Sequence, residues 1–191
     1  MNPHAPRRPA RRLAGLLAAL AALTALVAPP SSGHSLQAAA SPAARPAPGG
    51  WERYPAADFV SPRGDLCDFR LRSQVRFDQV YARTTETFAN GDPRTQQFSG
   101  PLVVSLQNAA TGRRLQRDLS GRAVAHYRRD GSFTYVISGP VAVGFHRGDG
   151  LPRGYYVLHG RHVVRFAADG RRTIVADHGT EENLCRSLRQ R

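Results

Sequence analysis

Four stretches decide the fold: QQFSGPLVVSL (96–106), RDLSGRAVAHY (117–127), YVISGPVAVGF (135–145) and YVLHGRHVVRF (156–166). Each carries a central glycine, preceded by Ser or His and followed by Pro or Arg: Gly100, Gly121, Gly139 and Gly160. Asn-Ala-Ala-Thr-Gly at 108–112 and Arg-Asp-Gly at 129–131 join the first three stretches. A longer link at 146–153 precedes the fourth, and Ala-Asp-Gly at 168–170 follows it. Such joints between alternating runs signal hairpins. Strand side chains alternate with period two. Phe133, Tyr135, Ile137, Gly139, Val141, Val143 and Phe145 share one parity, as do Leu115, Leu119, Gly121, Ala123, Ala125 and Tyr127. The apolar face therefore crosses each glycine without a phase shift, which a tight turn has no reason to preserve. The pattern predicts continuous strands of about 12–14 residues, with the glycines side by side on the inner face of a coiled sheet. Pro101 and Pro140 conflict with this, since proline donates nothing to a ladder and marks a bulge or opening.

Further strands flank this core. Phe69, Leu71, Val75 and Phe77 alternate with Arg70, Arg72, Gln74 and Arg76. VYARTTETF (80–88) runs into an Asn-Gly-Asp-Pro turn, and RTIVA (172–176) reads as a short closing strand. The expectation is an all-β fold: an antiparallel up-and-down meander of about seven strands, closed into a barrel that hides its edges. The alternative is a β-sandwich of shorter strands turning at each Ser-Gly-Pro. Val103, Val124, Ala142 and Val163 are apolar on the outward parity, so something must cover that stripe. The segment around Trp51, Tyr54 and Phe59 is the nearest candidate, and a partner subunit the next; the chain is expected as a monomer or homodimer.

The N-terminus carries an address. Arg7, Arg8, Arg11 and Arg12 precede sixteen small or apolar residues from Leu13 to Ala28, a length suited to a signal peptide and short for a spanning helix. A membrane anchor and a twin-arginine signal are the competing readings. The domain plan is a signal peptide at 1–33 (with 40 as the other cleavage point), a disordered Pro/Ala/Ser linker at 34–50, an N-terminal covering segment at 51–66 and a β-barrel domain at 67–188. A secreted, extracellular location follows. Outside the cytosol the two cysteines, Cys67 and Cys185, are expected as a disulfide; two buried thiols are the alternative.

The chain has 191 residues and a formal charge of +13, with 27 basic residues, all arginine, against 14 acids. Two cysteines exclude a four-thiolate zinc site and an iron–sulfur cluster. There is no phosphate-binding glycine loop, nucleophile elbow, His-x-His or His-Glu-x-x-His spacing. No catalytic residue, metal site or cofactor is expected. The informative polar groups lie on the inward parity: Gln96, Arg117, Tyr127, Tyr135, Tyr156 and His162 are the candidate ligand-binding residues, at one rim or the other of a lumen. Gln96, Tyr127 and Tyr135 belong to one end, Arg117 and Tyr156 to the opposite end. Because aromatics follow the inward parity while arginines cluster outside, no specific nucleic-acid partner is expected.

The Cys67-Asp68-Phe69 run, the repeated Ser-Gly-Pro/Arg segments and Asn183-Leu184-Cys185 resemble a group of exported proteins of Streptomyces-like actinobacteria over residues 60–188. The resemblance implies export and carries no activity. In architecture the pattern is also similar to lipocalin-like and allene-oxide-cyclase-like barrels, an analogy that implies no function. Three functions stand as expectations. The first is a non-catalytic barrel binding a small apolar or amphipathic molecule. The second is a cofactor-free isomerase or cyclase. The third is a surface protein gripping an anionic wall polymer through its arginines.

Overall fold

The computed structural model describes residues 49–189. The signal peptide expected at 1–33 and all but the last two linker residues lie outside the described residues. Twelve strands follow in order: β1 (Glu52–Arg53), β2 (Phe59–Ser61), β3 (Leu71–Asp78), β4 (Tyr81–Thr87), β5 (Pro93–Ser99), β6 (Leu102–Asn108), β7 (Arg114–Asp118), β8 (Arg122–Tyr127), β9 (Phe133–Ser138), β10 (Val141–Phe145), β11 (Gly154–Phe166) and β12 (Arg172–Asn183). One helical turn, α1 (Leu184–Ser187), ends the fold, with the Asn183 side chain accepting from the Arg186 N–H.

The strands form two antiparallel sheets that do not close into a barrel, which corrects the barrel expected from the meander pattern. The larger sheet runs β1-β4-β5-β8-β9-β11, with β10 also on β11 and β12 along β11's other edge. The smaller runs β2-β3-β6-β7. The arrangement is nearer the sandwich, yet the chain does not turn at its glycines. The β5–β8 and β6–β7 pairs keep one register, placing Gly100 level with Gly121. The β8–β9 register carries the row to Gly139, Gly139 N–H donates to Gly160 O at 2.8 Å, and Gly160 stands opposite Gly179. The glycine row is thus a crease running across the strands.

At that crease the lower halves of the meander part company. β3, β6 and β7 leave as the four-stranded sheet, while β10 stays on β11, and β7 does not pair with β10. The physical cause lies on the outward parity. Ala142, Tyr155 and Val157 pack into a core formed with Leu71, Val104, Leu106 and Leu119 of the smaller sheet. The apolar stripe at this level is covered by the chain's own smaller sheet, and a sheet folded back over that face cannot also close edge to edge. The segment around Trp51 divides: β1 extends the larger sheet at β4, while β2 joins the smaller at β3, where Phe59 stands edge-on to Tyr155 at 5.5 Å as part of that cover. Phe77, read as inward, is 48% exposed because a register shift between Val75 and Phe77 turns it over.

The glycines answer to neighbouring backbone rather than to an opposite wall. A Cβ on Gly139 would stand 1.8 Å from Leu158 O, and one on Gly179 1.8 Å from His159 O. Adjacent strands approach there more closely than any side chain allows. A Cys67–Cys185 disulfide joins the start of the smaller sheet's core to α1, with Leu66, Leu184 and Leu188 packed around it. In the chain-entropy picture, closing a loop of 118 residues removes roughly 5 kcal/mol of unfolded-state freedom.

Candidate functional site

Where the sheets diverge, the inner face keeps a recess of about 160 Å3. Its walls are Tyr54, Phe98, Leu102, Leu119, Tyr135 and Val141, and its base is the bare backbone of Gly100 and Gly121. The Tyr54 ring stands edge-on to Phe98 at 5.1 Å, and Phe98 lies 5.7 Å from Tyr135. Beyond Tyr135 the aromatic face continues through Phe166 to Phe133, whose rings stack at 4.3 Å. The two phenols differ in setting. Tyr54 is 54% exposed and forms the outer lip, whereas burial pushes the Tyr135 hydroxyl well above the ordinary phenol range. Tyr135 is therefore a neutral hydroxyl at physiological pH, able to donate a hydrogen bond and unsuited to act as a base.

The six candidate residues do not gather in one lumen. Tyr127 donates to Gln96 Oε1 at 3.0 Å, and Gln96 Nε2 donates to Thr84 Oγ1 at 3.1 Å. This satisfied network flanks the aromatic face near Tyr135. Tyr156 lies at the other end, its hydroxyl donating to Pro152 O at 2.9 Å and its ring edge-on to Phe145. Arg117 reaches from β7 to Glu182 on β12, with Nε to Oε2 at 2.8 Å and Nη2 to Oε1 at 2.5 Å. That fork ties the smaller sheet to the larger and holds the Glu182 carboxyl below its ordinary range. His162 is fully buried on the inner face, with Nε2 3.0 Å from Asp177 and 3.1 Å from Glu181. Only Tyr135 among the six lines the recess.

The outer face of the larger sheet has its own pattern. Cross-strand pairing aligns Ser99, Arg122, Ser138, Arg161 and His178 in one row across β5, β8, β9, β11 and β12. A parallel row of Val124, Val136, Val163 and Ala176 lies beside it, half-buried. Among the described residues, neither Arg122 nor Arg161 has a carboxylate within ion-pair distance.

Comparison with protein-family models, curated proteins and solved structures finds no match to this chain. What the protein does therefore rests on the geometry of its own surfaces. Sequence reasoning passed over Tyr54 as a recess wall and over Asp177 and Glu181 altogether. The acids sit in ADHGTEEN, a polar run without the alternation that marks a strand, which β11 nevertheless holds as the second half of β12.

Proposed function

We propose that the protein is an exported, non-catalytic binding module that takes the apolar end of a small amphipathic molecule into the recess at the crease. The carrying observation is the recess itself: about 160 Å3, walled by Phe98, Leu102, Leu119, Val141 and two tyrosine rings. An apolar cavity of about 150 Å3 accepts a benzene-sized guest. The fitting guest is one aromatic ring or a short branched chain, with its polar end outside beside Tyr54. The test is titration of the full chain with 4-butylphenol, followed by calorimetry and thermal unfolding. Wild type binds one equivalent and gains stability. Val141→Phe, which fills the recess, loses binding at least tenfold while remaining folded. Equal binding by the variant overturns the reading.

A second reading is favoured by the row on the outer face. Strands about 4.8 Å apart place the Arg122 and Arg161 positions, two strands apart, roughly 10 Å from each other with Ser138 between. Two guanidiniums without acidic partners above an apolar strip fit a linear anionic polymer lying across the strands. Polyphosphate retention that falls with salt and is lost in Arg122→Ser/Arg161→Ser supports this reading; unchanged retention removes it.

A further inference from the structure

We propose that His162, Asp177 and Glu181 form a divalent transition-metal site, with Zn2+ or Mn2+ as the fitting ions. The site is built by two neighbouring strands. The β11–β12 register puts Asp177 directly opposite His162, and Glu181 four residues further along β12 on the same face. Gly179 lies between the two acids and opposite Gly160. Because position 179 carries no side chain, the imidazole occupies the space above it; a Cβ there would stand 2.8 Å from His162 Cε1. From that position Nε2 reaches Asp177 Oδ1 at 3.0 Å and Glu181 Oε1 at 3.1 Å, and the three groups' ligand atoms lie within 4.8 Å of one another.

Three features point to a cation. The first is spacing: donors bound to one ion at about 2.0–2.2 Å stand about 3.0–3.6 Å apart, from octahedral to tetrahedral geometry, and the imidazole nitrogen stands 3.0 and 3.1 Å from the two carboxylate oxygens. The second is charge. In a chain with 27 arginines, neither Asp177 nor Glu181 has a guanidinium within ion-pair distance among the described residues; the buried imidazole is their shared partner. Even with a protonated imidazole the group carries a net negative charge, and a divalent ion in place of the Nε2 proton brings it to neutral.

The third feature is the histidine. His162 is 0% exposed, its Nδ1 has no hydrogen-bond partner among the described residues, and its only polar contacts lie within the cluster. Every polar interaction of the ring is therefore concentrated on Nε2, which is directed at both carboxylates. The metal alternative adds a bond at Nε2 and screens two converging carboxylates. One nitrogen and two carboxylates select a borderline ion over Ca2+, which prefers six to eight oxygens. Asp177 and Glu181 are 46% and 25% exposed in their side chains, leaving the solvent side open for water or for an anionic group on a ligand.

The experiment uses the full chain dialysed against EDTA, then titrated with Zn2+ and separately with Mn2+ by calorimetry and thermal unfolding. The expected result is one equivalent bound by at least one of the two ions at micromolar concentration, with a raised Tm. Asp177→Asn and Glu181→Gln keep side-chain shape at partly exposed positions, so each is expected to fold as wild type in EDTA and to bind at least tenfold more weakly. His178→Ala, on the outer face, is expected to bind as wild type. Failure of both ions to bind below 1 mM overturns the proposal, leaving an imidazole–carboxylate contact only. Binding that survives in the Asp177→Asn/Glu181→Gln double variant, or that is lost in His178→Ala, assigns the metal to surface histidines and overturns it equally.

Discussion

Segments 96–106 and 117–127 change sheets at their glycines, the first from the larger into the smaller and the second back again, whereas 135–145 and 156–166 pass through theirs and remain in the larger. The inner-face pattern is the same in all four. The difference is on the outer face. Below the crease β7 presents Arg114, Gln116 and Asp118 to water, while β10 and β11 present Ala142, Tyr155 and Val157, which need cover. A strand buried on both faces stays in place and receives a second layer; strands wet on one face become that layer. The parity of one face gives the strands, and the contrast between the outer faces gives the architecture.

The largest effect is expected from reversing that contrast. Val157→Asp places a carboxylate at a fully buried outward position of β11 and should cost more than about 4 kcal/mol or prevent folding. Val157→Thr, which exchanges one methyl for a hydroxyl, should cost about 1–3 kcal/mol. Gln116→Asp, outward on exposed β7, should change stability by less than about 0.5 kcal/mol. Denaturant unfolding of the three compares them directly, and similar losses at 157 and 116 would break the two-faced account.

Next in size is the crease. Gly139→Val drives a side chain into the Leu158 carbonyl and should cost about 3 kcal/mol or more, whereas Ser138→Val on the exposed outer face should be nearly neutral. Equal costs at the two positions would mean that the glycine row is not a line of close strand approach.

The smallest effect sharpens the link between the sheets. The Arg117 guanidinium holds Glu182 below its unperturbed value of 4.5, so the ionised carboxylate favours the folded state. That contribution is fully present above pH 4.5 and fades as pH falls through the lower folded value. For a pair about 30% exposed it amounts to roughly 0.5–1 kcal/mol. Unfolding curves from pH 6 to 3 should show this loss in wild type, and Glu182→Gln should lack it.

The strand parities up to the register shift before Phe77, the alignment of the four glycines and the Cys67–Cys185 bridge were legible because each rests on local alternation, turn chemistry or the presence of just two cysteines. The parting of β7 from β10 was not. It depends on whether two distant half-strands pair or pack, and no alternation within one strand records that competition. β12 was read only as far as Ala176, since ADHGTEEN has a single β-branched residue, Thr180, and no alternation; its strand form comes from β11, not from its own propensity. With that half-strand missing, the fifth glycine and the two acids facing His162 had no place in the sequence reading. The same holds for Tyr54, whose position against Phe98 follows β1 joining β4.

The disulfide has a consequence beyond stability. It joins Cys67 to Cys185, so the hairpin turns at 88–92, 109–113, 128–132 and 167–171 all lie within one covalent ring. A protease that cuts any one of these turns opens the ring without releasing a fragment: the two new ends stay in one molecule, held by sulfur on one side and by strand ladders on the other. Nicked once in any of these turns, the chain stays a single covalent molecule even when it unfolds.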